Sequence, residues 1–275
     1  MFEGFTLSAY LSRHVWAALV AGFLALGSLW PAWASAGEDL TIAAASDLNF
    51  AFRELIGAFE KKSGTHVRLS LGSSGNFFSQ IQQDAPFDLY FSADVRYPEK
   101  LIESGHAVSE SLYRYAIGRI VVWVPNSSPI QVERQGMESL LAPSVKKIAI
   151  ANPKHAPYGR AAVSAMEYFK VHDRAKDKLV LAENISQASQ FVESGAADIG
   201  VIALSLALAP PMKAAGKYWE IPASAHPPLE QGAVILKNAK NIESAKAFLN
   251  FLKGDDGRKV MASYGFVLPG DGSQR

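Results

Sequence analysis

Four short segments hold the residues of this chain best suited to chemistry: Ala45-Ser46-Asp47, Gly72-Ser73-Ser74-Gly75-Asn76, Ala156-Pro157-Tyr158-Gly159 and Glu183-Asn184-Ile185-Ser186. In each, an apolar run ends in small or polar residues and a helix-like pattern begins at once. A helix start leaves its first N–H groups without intrahelical acceptors and carries a partial positive charge, so it attracts anions. Several starts converging on one point would enclose a small oxyanion without any lysine or arginine. Taken singly, each segment also reads as an ordinary capped helix, because Ser, Asp and Asn are common N-cap residues. Their recurrence in one chain is what favours a binding site.

Such turns need strands before them and helices after them. Apolar runs predict strands at 40–45, 67–71, 88–92, 120–124, 147–151, 179–182, 198–203 and 233–237. Most are continuous, as strands buried on both faces of a parallel sheet should be. Between them, Leu48, Phe52, Leu55 and Phe59 fall on one face of a helix that should end near Gly64. Ala162, Met166 and Phe169 form a similar stripe, as do Ala245, Phe248, Leu249 and Leu252. This alternation predicts an α/β fold with mostly parallel sheets, whose ligands sit beyond the carboxyl ends of the strands. All four turns lie there. The stretch 105–120 reads as a connection into a second unit, and the proline-rich stretch 222–228 as the return. The expectation is two lobes, 37–118 plus 231–275 and 119–230, joined by two crossover segments with a ligand cleft between them.

Residues 1–36 follow a different logic. Arg13 and His14 precede an apolar stretch from Val15 to Trp30, followed by Pro31-Ala32-Trp33-Ala34-Ser35-Ala36. A positive flank, an apolar centre and an Ala-x-Ala site describe a secretory signal peptide, cleaved after Ala34 or Ala36. The apolar stretch is shorter than the roughly 20 residues of a membrane span. The mature chain should therefore be exported and periplasmic. Its net charge of +1, with Lys and Arg dispersed, provides no electrostatic footprint for nucleic acid. With no cysteine, it has neither disulfides nor a thiolate metal site. The six histidines lack metal-ligand spacing, so His155 is expected to be solvated. Trp123 and Trp219 are expected to pack. No G-x-S-x-G elbow, H-E-x-x-H or phosphate-loop motif is present, so no catalytic residue is nominated and the chain is not expected to be an enzyme.

Several of these segments, in order, resemble the periplasmic molybdate-binding proteins of ABC importers, two-lobed solute-binding proteins of the type II class. The resemblance rests on Ala43-Ala44-Ala45-Ser46, Gly72-Ser73-Ser74-Gly75 and the run from Ala85 to Asp94. It continues through Tyr115-Ala116-Ile117-Gly118, Asn152-Pro153, Ala156-Pro157-Tyr158-Gly159, Ser194-Gly195-Ala196-Ala197-Asp198 and the stretch from Tyr264 to Pro269. It implies that Ser46 and Ser74 contact the oxyanion through hydroxyl and N–H, while Tyr158 and Ile185 donate backbone N–H groups. One branch of the family takes a final hydroxyl from a tyrosine near Ala203. This chain has alanine there, so it resembles the branch in which the turn tyrosine, Tyr158, supplies that hydroxyl. Asp47 departs from the neutral residue often found beside the first serine. A carboxylate facing a dianion would repel it, so Asp47 is expected to point away and cap its own helix.

The implied mechanism is reversible capture of molybdate or tungstate, closure of the lobes by a hinge motion and delivery to a membrane permease. The ligand is bound as an oxyanion through these same residues, with no direct metal-ion ligand and no cofactor, and the protein is expected to be a monomer. An all-donor site selects a full dianion by supplying no acceptor for a protonated one. The alternative is a phosphate- or phosphonate-type binding protein, in which Asp47 accepts the proton of the ligand.

Overall fold

The computed structural model describes residues 39–270; the signal peptide expected at 1–36 lies outside the described residues. The first sheet is built from β1 (Leu40–Ala45), β2 (Val67–Gly72), β3 (Leu89–Ser92), β4 (Tyr113–Gly118) and β10 (Leu229–Ile235), in the order β2-β1-β3-β10-β4. The second contains β5 (Ile120–Pro125), β6 (Ile148–Ala151), β7 (Leu179–Ala182), β8 (Ile199–Ala203) and β9 (Gly216–Glu220), in the order β7-β6-β8-β5-β9. Both sheets are mixed. In the first, β1 pairs in parallel with β2 and β3, while β10 runs antiparallel between β3 and β4. In the second, β6 pairs in parallel with β7 and β8, while β5 runs antiparallel between β8 and β9. The chain passes from one sheet to the other between β4 and β5, at Arg119, and returns before β10.

The parallel strands and the antiparallel β5 are the ones the apolar runs predict. Tyr113–Gly118 and Gly216–Glu220 are additions, and the last strand lies earlier than expected, at Leu229–Ile235. All three belong to antiparallel pairings, where one face can meet polar groups or solvent and no continuous apolar run is required. Arg114 and Glu230 are the exposed members of such alternations.

Among the described residues, seven longer helices cover the sheets: α1 (Asn49–Ser63), α2 (Ser74–Ile81), α3 (Arg96–Glu103), α4 (Pro157–Tyr168), α5 (Ile185–Glu193), α6 (Ile242–Lys253) and α7 (Asp255–Ser263). α1 stops where its pattern does: Gly64 takes φ +72°, and its N–H closes on the Glu60 carbonyl at 2.9 Å. Phe52 and Phe59 of α1 meet Phe248 of α6 edge-on, and Phe91 of β3 meets Phe52 and Phe248 in the same way. This aromatic cluster fixes α1, and with it the first turn, against the sheet. Trp123, fully buried in β5, anchors the second core.

Candidate functional site

Each of the four segments forms a strand-to-helix turn. β1 ends at Ala45, and Ser46–Leu48 makes one 3-10 turn leading into α1. β2 ends at Gly72, and Ser73 caps α2 by accepting from the Asn76 N–H at 3.4 Å. α4 opens on Pro157, whose missing N–H and fixed φ suit a first helical position. α5 opens at Ile185 behind Asn184, whose side chain accepts from the Gln187 N–H at 3.0 Å.

The two turns of the first sheet meet the two of the second in a closed ring of contacts. Ser46 Oγ donates to Asn184 Oδ1 at 3.0 Å and accepts from the Ser186 N–H at 3.2 Å. Ser186 Oγ donates back to the Ser46 carbonyl at 2.8 Å. Tyr158 Oη donates to Asp47 Oδ2 at 2.9 Å. The Gly75 N–H donates to the His155 carbonyl at 2.9 Å, and His155 Nδ1 lies 2.9 Å from Ser73 Oγ. Asn76 Nδ2 donates to Glu183 Oε1. A Cβ on Gly75 would lie 2.6 Å from the His155 carbonyl oxygen, so only glycine permits this approach. None of these contacts uses a lysine or arginine.

The structure therefore brings Ser46, Ser74, Tyr158 and Ile185 to one ring, all of them buried. Ser74, Tyr158 and Ile185 occupy the first two positions of their helices, where N–H groups have no intrahelical acceptor. Ser74 Oγ accepts from the Ala93 N–H at 3.0 Å, and its carbonyl accepts from Tyr90 Oη at 2.7 Å. That arrangement fixes the serine while its hydroxyl proton remains a donor. In chemical terms the ring gathers helix-start N–H groups and the Ser74 hydroxyl, donors suited to an oxyanion, while the Ser46 and Tyr158 hydroxyls donate to Asn184 and Asp47.

Two expectations are corrected. Asp47 does not cap its helix, since the 3-10 turn has no side-chain cap. Its carboxylate is buried, with Oδ2 accepting from Tyr158 Oη and from Gln231 Nε2 at 2.8 Å. Burial pushes this carboxyl up to about 6, against the opposing hydrogen bonds from Gln231 and Tyr158. Burial, followed by the charge of Asp47, holds the Tyr158 hydroxyl well above its ordinary range. His155 is not solvated: its side chain is 20% exposed and lies against Ser73 across the two sheets.

Sequence reasoning missed Gln231 and Ser205, and it singled out the turn of Asn184 and Ser186 without assigning their contacts to Ser46. Gln231 is fully buried on β10, and Ser205 Oγ donates to the Asp47 carbonyl at 2.7 Å. One signal was available: Gly118 of β4 leaves room for the cluster, as a Cβ there would lie 2.3 Å from Tyr158 Oη and 2.6 Å from Gln231 Nε2. Trp123 and Trp219 pack as expected, Trp219 edge-on to Phe169. Asn49 and Arg53 pair with each other at 2.8 Å on the surface. A separate open groove of about 420 Å³ is lined by residues including Asp94, Arg96, Arg160 and Glu230, and by none of the four expected contact residues. Arg160 bridges to Asp94 at 2.7 Å there. Burial works to raise the Asp94 carboxyl, but hydrogen bonds from Arg96 and the charges of Arg96 and Arg160 hold it below its usual value.

Comparison with known proteins places the chain in a family. The family model described as bacterial extracellular solute-binding protein matches residues 40–267. A molybdate-binding protein of Rhodobacter capsulatus is 37% identical over 244 residues, covering 89% of this chain and 93% of the relative. A molybdate-binding protein of Azotobacter vinelandii is 37% identical over 262 residues, covering 95% of this chain and all of the relative. Among solved structures, the periplasmic molybdate-binding protein of Azotobacter vinelandii superposes with a TM-score of 0.79 at 35% identity, covering 84% of this chain and 100% of that one.

Proposed function

We propose that this chain, which belongs to the family of bacterial extracellular solute-binding proteins, captures molybdate or tungstate in the ring of four turns and delivers it to the membrane permease of an ABC importer. The observation that carries this reading is the ring itself, with Ser46, Ser74, Tyr158 and Ile185 gathered from both sheets without a cation. Neutral donors held in place by the fold can surround a dianion that offers only acceptors, and helix ends add favourable field. Capture requires no bond to break, so the protein is a binding component rather than a catalyst. We place it in the periplasm as a monomer, with lobes 37–118 plus 231–275 and 119–230 that separate to admit the ion and close around it.

A second reading, capture of hydrogen phosphate or a phosphonate, is favoured by one feature. Asp47 Oδ1 is buried without a hydrogen-bond partner among the described residues and could accept a ligand proton. Calorimetric titration of the mature chain with molybdate, tungstate, sulfate and phosphate decides between the two. Molybdate and tungstate are expected to bind alike and far more tightly than the others, because their shape and charge nearly coincide. Phosphate binding as tightly as molybdate would overturn the first reading in favour of the second.

A further inference from the structure

Tyr158 has one hydroxyl proton, and it points at Asp47. The oxyanion reading needs that same proton to point at the ligand, and one proton cannot serve both acceptors. Gln231 does not relieve the conflict. Its Nε2 donates to Asp47 Oδ2 and, at 3.0 Å, to Tyr158 Oη, so it binds the pair together. Asp47 Oδ1 and Gln231 Oε1 are buried without partners among the described residues. The carboxylate also follows Ser46 directly in the chain, so it lies at the edge of the donor ring.

Every element around Asp47 is neutral. Tyr158 comes from α4, Tyr115 from β4, Gln231 from β10 and the Ser205 hydroxyl from the turn after β8. The two tyrosines are its titratable neighbours, and burial keeps both hydroxyls protonated far above neutral pH. Besides burial, the main influences on its carboxyl are neutral donors, the Gln231 amide, the Tyr158 hydroxyl and the backbone of Asp47 and Leu48. An ionised Asp47 beside a bound dianion would thus be a buried negative charge next to two more, with no counter-ion.

We propose that capture of the oxyanion takes up a proton on Asp47, which reverses the Asp47–Tyr158 hydrogen bond and turns the tyrosine proton toward the ligand. The inference rests on the oxyanion reading above. The proton comes from solvent before closure and binds to Oδ2, and no ligand bond forms or breaks. Oδ2–H then donates to Tyr158 Oη across the existing 2.9 Å contact, with the Gln231 amide still donating to the same oxygen. Tyr158 Oη becomes a double acceptor with its own proton free. Burial has already lifted the carboxyl to about 6, and an adjacent dianion lifts it further. Asp47 is a positioning residue in this scheme: it decides where Tyr158 points.

The test is calorimetric titration with molybdate from pH 6.5 to 8.5, a range where molybdate stays dianionic, in buffers of differing ionisation enthalpy. Above pH 7, binding should take up close to one proton, and affinity should fall about tenfold per pH unit. Infrared difference spectra should show a protonated carboxyl band appearing on loading. Asp47→Asn should abolish the proton uptake, the pH slope and the band, and binding by that variant, whatever its strength, should be flat with pH. Molybdate binding by the unaltered protein with no pH slope and no proton uptake overturns the proton coupling and leaves the functional reading intact. A slope that persists in Asp47→Asn also overturns it, because the proton then sits elsewhere. Failure to bind molybdate at any pH overturns both.

Discussion

Gly75→Ala separates the function of the ring from the stability of the fold. Gly75 sits in the first turn of α2, and its N–H reaches the His155 carbonyl at 2.9 Å across the two sheets. An alanine Cβ would lie 2.6 Å from that oxygen, 2.9 Å from Tyr97 Oη and 3.0 Å from His155 Cα. Two of those three atoms are backbone, so rotating a side chain does not relieve the clash. The two sides must part by more than about half an ångström to regain ordinary contact. Parting weakens the Gly75–His155 hydrogen bond, worth about 0.5–1.5 kcal/mol, and strain from overfilling adds about 1–3 kcal/mol. Charged against the closed form alone, the loss is roughly 2–4 kcal/mol, or about 30- to 1000-fold in oxyanion affinity. Opposing this, alanine is the better helix former by up to about 1 kcal/mol, so ligand-free stability should stay level or rise slightly. Calorimetry for affinity and urea denaturation for stability read the two terms separately. Affinity within threefold of the unaltered protein would refute the reasoning, since the ring would then tolerate opening at this point without loss of the ligand.

Ser46→Ala and Ser74→Ala should each weaken molybdate binding by roughly 1.5–3 kcal/mol, the scale of a hydrogen bond to a charged group; calorimetry checks this, and equal destabilisation with unchanged affinity would make both serines structural. Tyr158→Phe removes a donor while keeping the ring and the backbone N–H, so affinity should fall by roughly 1–3 kcal/mol, again read by titration. The ligand-free stability should depend on pH through Asp47. Its folded-state value, about 6, lies above the ordinary 3.8, so the folded state binds more protons between those values and stability falls as pH rises through that window. Below it the effect vanishes, and above it the cost levels at about 3 kcal/mol. Asp47→Asn should therefore stabilise the ligand-free protein at pH 8 but not at pH 3.5, as urea denaturation at the two pH values would measure.

The parallel half of each sheet was legible in the sequence because a strand buried on both faces must be apolar throughout. The runs at 40–45 and 179–182 match β1 and β7 to the residue. Their following turns were legible for the same reason, since a buried strand must hand over to its helix through small or capping residues. Apart from β5, the antiparallel half was hidden or misplaced. β9 is only partly buried, and its Lys217 and Glu220 break any run. β4 begins with Tyr113 and Arg114, which read equally well as a connection. Without these strands the mixed character of both sheets could not be deduced. The entry into a second sheet at Ile120 still could, because β5 is a continuous apolar run that must belong to a sheet core.

The candidate site divides along a similar line. Ser46, Ser74, Tyr158 and Ile185 belong to local turns, and a local pattern finds them. The orientation of Asp47 is not local. Read within its own turn, an aspartate after a strand is a cap, and the electrostatics of a dianion site argue for turning it outward. Its actual direction is set by Gln231, 184 residues later in the chain, and by Tyr158, 111 residues later. Gly118 leaves the space in which the three meet. Only pairing β10 beside β4 puts the fully buried Gln231 next to that glycine's end of the strand, and β10 was the strand misplaced by four residues at its start. The error in strand position and the error in the role of Asp47 are therefore one error. A buried polar residue on an antiparallel strand gives no run to detect, yet here it helps set the aim of the group beside the donor ring.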